Sequence, residues 1–170
     1  ASATAEITNN ADAADELSIQ DTGDITVNGA DVQYNGTIFG TISETSGNNN
    51  NDGIVIDSDQ LTVNFDLDAT NNSVQGLVQA LAFRNTSDAP GGADRTLNIT
   101  LTDANTDMST ATNTIGVTTT NDAPTLATNN TTNVNEGAET LIPTSNLEAT
   151  DPEQGPSNLT YTLDSVPGNG

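Results

Sequence analysis

The chain has 170 residues, enough for one or two domains, and 24 acidic residues against two basic ones give it a formal net charge of −22. A polyanion of this kind lacks the basic surface needed to bind nucleic acid or an anionic membrane, which excludes both as partners. Lysine, histidine and cysteine are absent, so the usual general bases and nucleophiles of enzymes are missing. We therefore expect a non-catalytic protein whose acidic groups are neutralised by cations from outside the chain.

Composition leaves two alternatives open. A pair of carboxylates can hydrolyse glycosides, but aromatic residues, at 3%, are too few to provide the usual sugar-stacking platform. Low hydrophobicity combined with high charge is also typical of disordered chains. Against disorder, the apolar residues alternate regularly with polar ones, and this pattern predicts folded β-strands.

The predicted strands are short and are bounded by Gly, Asn, Asp or Pro. Leu61, Val63, Phe65 and Leu67 give the clearest alternation. The Asn28-Gly29 and Asn35-Gly36 pairs favour positive φ angles and predict type I′ turns in an antiparallel meander. In the first half of the chain we predict strands over residues 3–8, 25–27, 32–34, 38–42 and 61–68.

One segment has the periodicity of a helix. Val74, Leu77, Val78 and Leu81 are spaced as one helical face, and Asn72 or Ser73 can cap the first turn. We predict a short helix over residues 73–81 whose apolar face packs on the core and does not bind a ligand. Further strands are predicted over residues 97–102, 114–120 and 159–163.

A module boundary is predicted at Asn121-Asp-Ala-Pro124, because proline removes a ladder donor and holds the residue before it extended. The first module then covers residues 1–123 and lacks an opening strand. Residues 124–170 are too few to close a second sandwich, and we expect them to be the opening part of the next repeat. The predicted fold class is all-β, built from tandem antiparallel β-sandwich modules.

Asp103, Asn105 and Asp107 follow a predicted strand directly. Oxygen ligands at alternate positions of a tight loop converge on one point, which is how calcium loops are built. Asp and Asn also favour ordinary turns, because they form hydrogen bonds with their own backbone. The spacing leaves a calcium loop and a simple turn both open.

Two further groups of oxygen-bearing side chains lie near the second module. Asn121 and Asp122 are in the linker with Glu136 shortly after, and Asp151 and Glu153 precede the last predicted strand. Calcium takes six to eight oxygen ligands, and the sequence offers none of the imidazole or thiolate ligands that zinc or copper prefers. The metal that the sequence predicts is therefore Ca²⁺.

These segments together resemble the cadherin-like repeats of large bacterial surface proteins. Val134-Asn-Glu-Gly137, Ala149-Thr-Asp-Pro-Glu153 and the linker are similar to the family segments whose oxygens hold calcium ions between consecutive modules. The resemblance implies an Ig/cadherin-like fold and a linker pocket that consists of Asn121, Asp122, Glu136, Asp151 and Glu153. Asp94-Arg95 is similar to a further D-R-E element of the family, with Thr96 in place of the usual Glu.

The first module also resembles repeats that are common in bacterial giant adhesins and hemolysin-type calcium-binding proteins. The similar segments are residues 8–18, 78–87 and 94–103. In that family the repeats are exported tandem spacers between a cell-surface anchor and a ligand-binding tip. The resemblance implies an extracellular structural repeat that binds calcium and contacts neighbouring repeats or copies of itself, while any surface ligand is bound by distant domains.

Two other functions remain open. A flat sheet face rich in Thr and Asn, with residues 110–114 or 118–121 as candidates, would suit binding to ice, a glycan or a protein, although exposed threonine is common in any strand. The mismatched module ends also suggest a filament subunit. In that case residues 124–170 of one copy supply strands to the first module of the next.

Overall fold

The structure is a computed structural model that describes residues 1–44 and 51–162. The chain divides into two compact units, Ala1–Thr119 and Thr120–Gly170. Across the described ranges, no helix is long and apolar enough to cross a membrane.

Antiparallel strands and one short helix make up the first unit. The strands are β1 Ser2–Asn9, β2 Asp15–Ile19, β3 Ile25–Asn28, β4 Asp31–Tyr34, β5 Thr37–Glu44, β6 Ile54–Ile56, β7 Leu61–Phe65, β8 Leu81–Asn85, β9 Arg95–Thr102 and β10 Met108–Ile115. The helix, α1 Asn71–Ala80, precedes β8. The all-β fold class predicted from the sequence is confirmed, with a single short helix in the described part of the chain.

Two sheets share one hydrophobic core. The larger sheet has seven strands in the order β10-β9-β1-β7-β5-β4-β3, and the smaller has three in the order β6-β2-β8. All neighbours are antiparallel. In β1, residues Ala3, Ala5 and Ile7 are buried while the residues between them are partly exposed, which is the alternation expected of a half-buried strand. Buried residues from both sheets and the helix form one cluster, so the arrangement is sandwich-like.

The clearest predicted strand is shorter than expected. Leu61 and Val63 are buried and Phe65 is partly buried, but β7 ends at Phe65. Leu67 lies beyond the strand and its side chain is 103% exposed relative to the reference state. The carboxylate of Asp66 accepts the Asp68 amide at 2.8 Å, so this stretch turns away from the sheet instead of extending it.

Two predicted turns differ in type. Asn35 and Gly36 both have positive φ, 51° and 79°, in the two-residue connection between β4 and β5, as a type I′ turn requires. Between β3 and β4, Asn28 pairs with Asp31 as the last residue of the strand. The central residues of the turn are therefore Gly29, with φ 61°, and Ala30, which is not among the positive-φ residues. This is the pattern of type II′, and the I′ prediction is wrong here.

The helix begins two residues earlier than predicted. Its N-cap is Thr70, whose hydroxyl accepts the Ser73 amide at 3.2 Å while the Ser73 hydroxyl accepts the Thr70 amide at 2.8 Å. This reciprocal capping box satisfies two backbone donors, which is why Asn72 and Ser73 lie inside the helix. Of the predicted apolar face, Leu77 is buried, Val74 and Val78 are partly buried, and Leu81 lies outside the helix as the first residue of β8.

Two other predicted strands are corrected. The strand expected over residues 114–120 is β10, Met108–Ile115, and residues 116–124 lie outside any strand. The expected strand over 159–163 is absent from its described part, because Pro156–Asn158 forms a 3₁₀ turn and residues 159–162 are irregular. Leu163 lies outside the described residues.

The second unit has little regular structure. Strands β11 Thr125–Asn129 and β12 Leu147–Thr150 form an antiparallel pair. No residue of this unit is buried within its described part, and five large apolar residues are exposed: Leu126, Val134, Leu141, Ile142 and Tyr161. The described residues of this unit therefore lack a hydrophobic core of their own. A two-stranded hairpin without a core is at best marginally stable in water.

A buried ion pair joins the two sheets of the first unit. Arg95 Nε, at the start of β9, donates to Asp15 Oδ2, in β2, at 2.7 Å, and the two residues are 1% and 0% exposed. Asp15 also accepts the Asn85 side-chain amide at 2.6 Å and the Asp12 backbone amide at 2.9 Å. Arg95 Nη1 donates to the carbonyls of Gly91 and Ala93. Both charges are therefore extensively hydrogen-bonded, as burial demands.

The pKa of Asp15 lies below its ordinary value. Burial alone would raise the pKa of this carboxyl, but the hydrogen bonds from Arg95, Asn85 and the Asp12 amide, together with the Arg95 charge, outweigh burial. Because the folded pKa is depressed, the carboxylate stabilises the fold above its unfolded pKa, and this stabilisation is lost as the pH falls through the folded pKa.

Replacing Asp15 with Ala should lower the free energy of unfolding by about 3–5 kcal/mol, because it leaves the Arg95 charge buried without its partner. The paired change Asp15→Leu with Arg95→Met should recover most of this loss, since it removes both charges. Urea unfolding followed by circular dichroism measures both. The control is Glu16→Ala, which breaks the exposed Arg84–Glu16 pair and should have little effect; an equal loss in the control would contradict the assignment.

The stability that the Asp15 carboxylate provides should depend on pH. The free energy of unfolding of the unchanged chain should exceed that of the Asp15→Asn variant by a constant amount near neutral pH. This difference should shrink below about pH 4, the ordinary range of an aspartate, because only the unchanged chain loses the carboxylate there. Urea unfolding across the acid range measures this difference. A difference that stays constant into strong acid would mean that Asp15 contributes by packing alone.

Candidate metal centre

Four of the five predicted linker-pocket residues lie close together in the second unit. The Asp122 amide donates to Glu153 Oε2 at 3.2 Å. The Gln154 side-chain amide donates to Asn121 Oδ1 at 2.8 Å. Asp151 Oδ1 accepts the backbone amides of Glu153 at 3.0 Å and Gln154 at 2.8 Å. The end of the linker and the segment after β12 are thus held together by side-chain hydrogen bonds.

The local sequence explains why this loop presents oxygen atoms inward. Asp151 directly follows β12, and its two hydrogen bonds to amides ahead of it in the chain form an Asx-type turn. Pro152 cannot donate a hydrogen bond, so it does not compete for the Asp151 carboxylate. Oδ1 is occupied by the turn, and Oδ2 is buried without a hydrogen-bond donor.

Two carboxylate oxygens in this pocket are buried without a hydrogen-bond donor, Asp151 Oδ2 and Glu153 Oε1. Buried polar atoms in proteins are nearly always paired, and each exception needs an explanation, which can be a water or an ion. In contrast, the buried acids of the first unit have donors. Glu44 accepts the amides of Asn51 and Gly53 at 3.0 and 2.8 Å, and Asp15 is paired with Arg95. The two oxygens therefore fit a cation, and their chemistry matches the hard oxygen ligands that calcium prefers.

Glu136, the fifth predicted residue, is exposed and lies in a turn in which the Ala138 amide donates to the Asn135 carbonyl at 3.0 Å. No described hydrogen bond links it to Asn121, Asp122, Asp151 or Glu153. Within residues 1–44 and 51–162, no three His, Cys, Asp or Glu side chains are grouped closely enough to hold a metal ion. A calcium ion at Asp151 and Glu153 would need amide, carbonyl or water oxygens to complete its shell, as calcium sites commonly do.

The predicted loop of Asp103, Asn105 and Asp107 connects β9 and β10. Asp103 Oδ1 accepts the amides of Asn105 at 2.8 Å and Asp107 at 2.9 Å, and all three residues are exposed. Thr106 has φ 72°, so the chain turns sharply here. These contacts are those of an Asx-stabilised hairpin turn, the simpler of the two alternatives for this spacing.

The threonine-rich segments differ in their surroundings. Thr110, Thr112 and Thr114 lie on one face of β10, in register with Thr100, Asn98 and Thr96 of β9. Hydroxyl contacts join Thr100 to Thr110 at 2.8 Å and Thr112 to Asn98 at 3.0 Å. Residues 118–121 are in no strand, so they do not form a regular array.

The sequence did not predict the roles of three residues that organise these regions. Asp15 and Arg95 were not expected to form a buried pair. Composition could have indicated this pair. In a chain with only two basic residues, each arginine is expected to lie next to a carboxylate that needs a positive charge. Gln154 was also not anticipated, although its amide connects the segment after β12 to Asn121. Its role depends on a tertiary contact 33 positions away, which no local pattern specifies.

Comparisons with protein-family models, with curated proteins and with solved structures find no match to this chain.

Replacing Asp103 with Ala should lower the free energy of unfolding of the first unit by about 1 kcal/mol, because two turn amides lose their acceptor. Asp103→Asn, which keeps an oxygen acceptor, should lose less. If the loop is only a turn, the loss will be the same with calcium and with a chelator, as measured by urea unfolding. A loss that vanishes in chelator would identify the loop as a calcium site.

Proposed function

We propose that this chain is a non-catalytic, calcium-stabilised structural repeat of an extracellular surface protein, acting as a spacer or stalk of an adhesin. The observation that carries the proposal is the pair of buried, donor-free carboxylate oxygens of Asp151 and Glu153. They lie beside Asn121 and Asp122, within the set of residues that the resemblance to cadherin-like repeats implies.

Charge balance supports a cation from outside the chain. Both arginines are already engaged, Arg84 with Glu16 at 2.6 Å and Arg95 with Asp15 at 2.7 Å. No side chain of the sequence remains to neutralise Asp151 and Glu153. A carboxylate oxygen that is buried without a donor is costly, and binding of a divalent cation would convert that cost into a stabilising interaction.

The extracellular setting follows from the expected affinity. The described pocket has few carboxylates, and calcium sites with few charged ligands bind weakly, with dissociation constants of about 10⁻⁴–10⁻³ M in extracellular modules. Such sites are filled where calcium is millimolar. There the ion would order the connection between the residues that precede β11 and the loop after β12.

Calcium should raise the thermal stability of the chain. At a free concentration about 100-fold above the dissociation constant, a site that exists only in the folded state adds about 2.7 kcal/mol. Differential scanning calorimetry in excess calcium and in excess chelator measures the shift. An identical melting profile in the two conditions would refute the calcium site, and an equal shift with magnesium would argue against selectivity for calcium.

The residues of the pocket can be tested one charge at a time. Asp151→Asn keeps an oxygen acceptor for the turn amides and removes the charge, and Glu153→Gln does the same at the second carboxylate. Each should abolish most of the calcium-dependent stabilisation. Glu139→Gln is the matched control, because Glu139 is exposed in the same unit. Calcium binding by isothermal titration gives a direct readout, and retention of full affinity in both pocket variants would place the ion elsewhere.

A further inference from the structure

The last strand of the large sheet has an open edge. β10 is paired with β9 on one side and with no other described strand. Residues 108–114 are exposed, and Met108–Ile115 contains no charged residue and no proline. Proteins usually protect such edges with charges, proline, bulges or a covering segment. β10 contains no charge and no proline that would block pairing. Its unpaired backbone edge can therefore accept hydrogen bonds from another strand.

An apolar groove lies between α1 and β9, and the depression that adjoins it reaches Met108 and Ser109 of β10. Val74 and Val78 of α1 face Leu101 of β9 across a space of about 560 Å³. Leu101 is still 37% exposed, and Met108 is 74% exposed. Ala111 lies on the same face of the sheet as Leu101, since Ser109 pairs with Leu101 and Ala111 with Ile99. A strand added to β10 would place alternate side chains towards this groove.

The second unit contains a segment suited to this position. Residues 138–142 belong to no helix or strand, and they are bounded by Gly137, with φ 72°, and by Pro143. Leu141 and Ile142 are 91% and 62% exposed. No described residue of this unit is buried, so its own unit offers these side chains no core.

We propose that residues 138–142 of a second copy of this chain add to the β10 edge, with Ala138, Thr140 and Ile142 facing the groove. Alternation in a strand puts Glu139 and Leu141 on the opposite side. This orientation keeps the Glu139 charge in solvent and away from Val74, Val78 and Leu101. The opposite orientation would bury that carboxylate against apolar side chains, which is unfavourable.

Charge also favours this pair of surfaces. Two copies that each carry a formal charge of −22 repel one another, so they can meet only where charge is sparse. The edge strand is uncharged, and the inward side of the added segment is uncharged as well. Backbone hydrogen bonds would supply the affinity and the groove would select the side chain, as in other cases of strand addition. This association is independent of the proposed calcium site.

Sedimentation velocity over a range of concentrations, in buffer with calcium and enough salt to screen the charge, tests the association. The chain should self-associate, and Ile142→Ser should weaken the association by about tenfold or more, because a buried apolar side chain is lost. Leu141→Ser is the matched control and should change it little. A chain that stays monomeric, or a larger effect of Leu141→Ser than of Ile142→Ser, would overturn the proposal.

Cross-linking identifies the partner surfaces. The sequence has no cysteine, so a disulfide between two singly substituted chains reports contact between copies. Ile142→Cys should cross-link with at least one groove-side variant of β10 and not with Thr112→Cys on the other face. The groove-side variants are Ser109→Cys, Ala111→Cys and Asn113→Cys. Cross-links between two β10 variants alone would show edge-to-edge pairing instead and would overturn the proposal. A disulfide that forms within a single chain carrying both substitutions, at a rate independent of protein concentration, would also overturn the proposal.

Discussion

One buried ion pair joins the two sheets of the first unit and constrains its interior. Asp15 and Arg95 are 80 positions apart in sequence, and their contact connects β2 of the smaller sheet to β9 of the larger one. Asn85, the Asp12 amide and two carbonyls complete the hydrogen bonds of both charges. Apolar burial supplies most of the folding free energy of such a core, but it is tolerant of small shifts. A buried charge pair depends more strictly on geometry, and this one joins a residue of β2 to a residue of β9.

A scarcity of positive charge constrains the rest of the chain. With one arginine committed to the interior and the other to Glu16, the remaining carboxylates must be met by backbone amides, by solvent or by cations. Glu44 and Asp103 are satisfied by amides of their own loops. Asp151 and Glu153 each keep one buried oxygen without a donor. The proposed calcium site follows from these two oxygens, since the other oxygen of each carboxylate already accepts backbone amides.

The same scarcity bears on association. A strongly negative surface keeps copies apart everywhere except at uncharged places, and β10 is the longest uncharged strand edge in the described sheets. The second unit, by contrast, exposes Leu141 and Ile142 without a core. The chain thus carries an open strand edge and an unpaired apolar segment in different units, and pairing them between copies would satisfy both.

The sequence alone determined the local features that depend on neighbouring residues. Alternation identified the buried side chains of β7, helical spacing identified α1, and Asn35-Gly36 identified a type I′ turn, because these preferences are set within a few positions. The tertiary structure alone decided the other features. Leu67 is exposed because β7 ends before it. Thr70 caps the helix through reciprocal hydrogen bonds with Ser73. The carboxylate of Asp103 accepts hydrogen bonds from backbone amides of its own turn. The Asp15–Arg95 pair and the grouping of Asn121 and Asp122 with Asp151 and Glu153 join residues that are far apart in sequence. Such contacts depend on how strands pair, and burial then decides which charges need a partner.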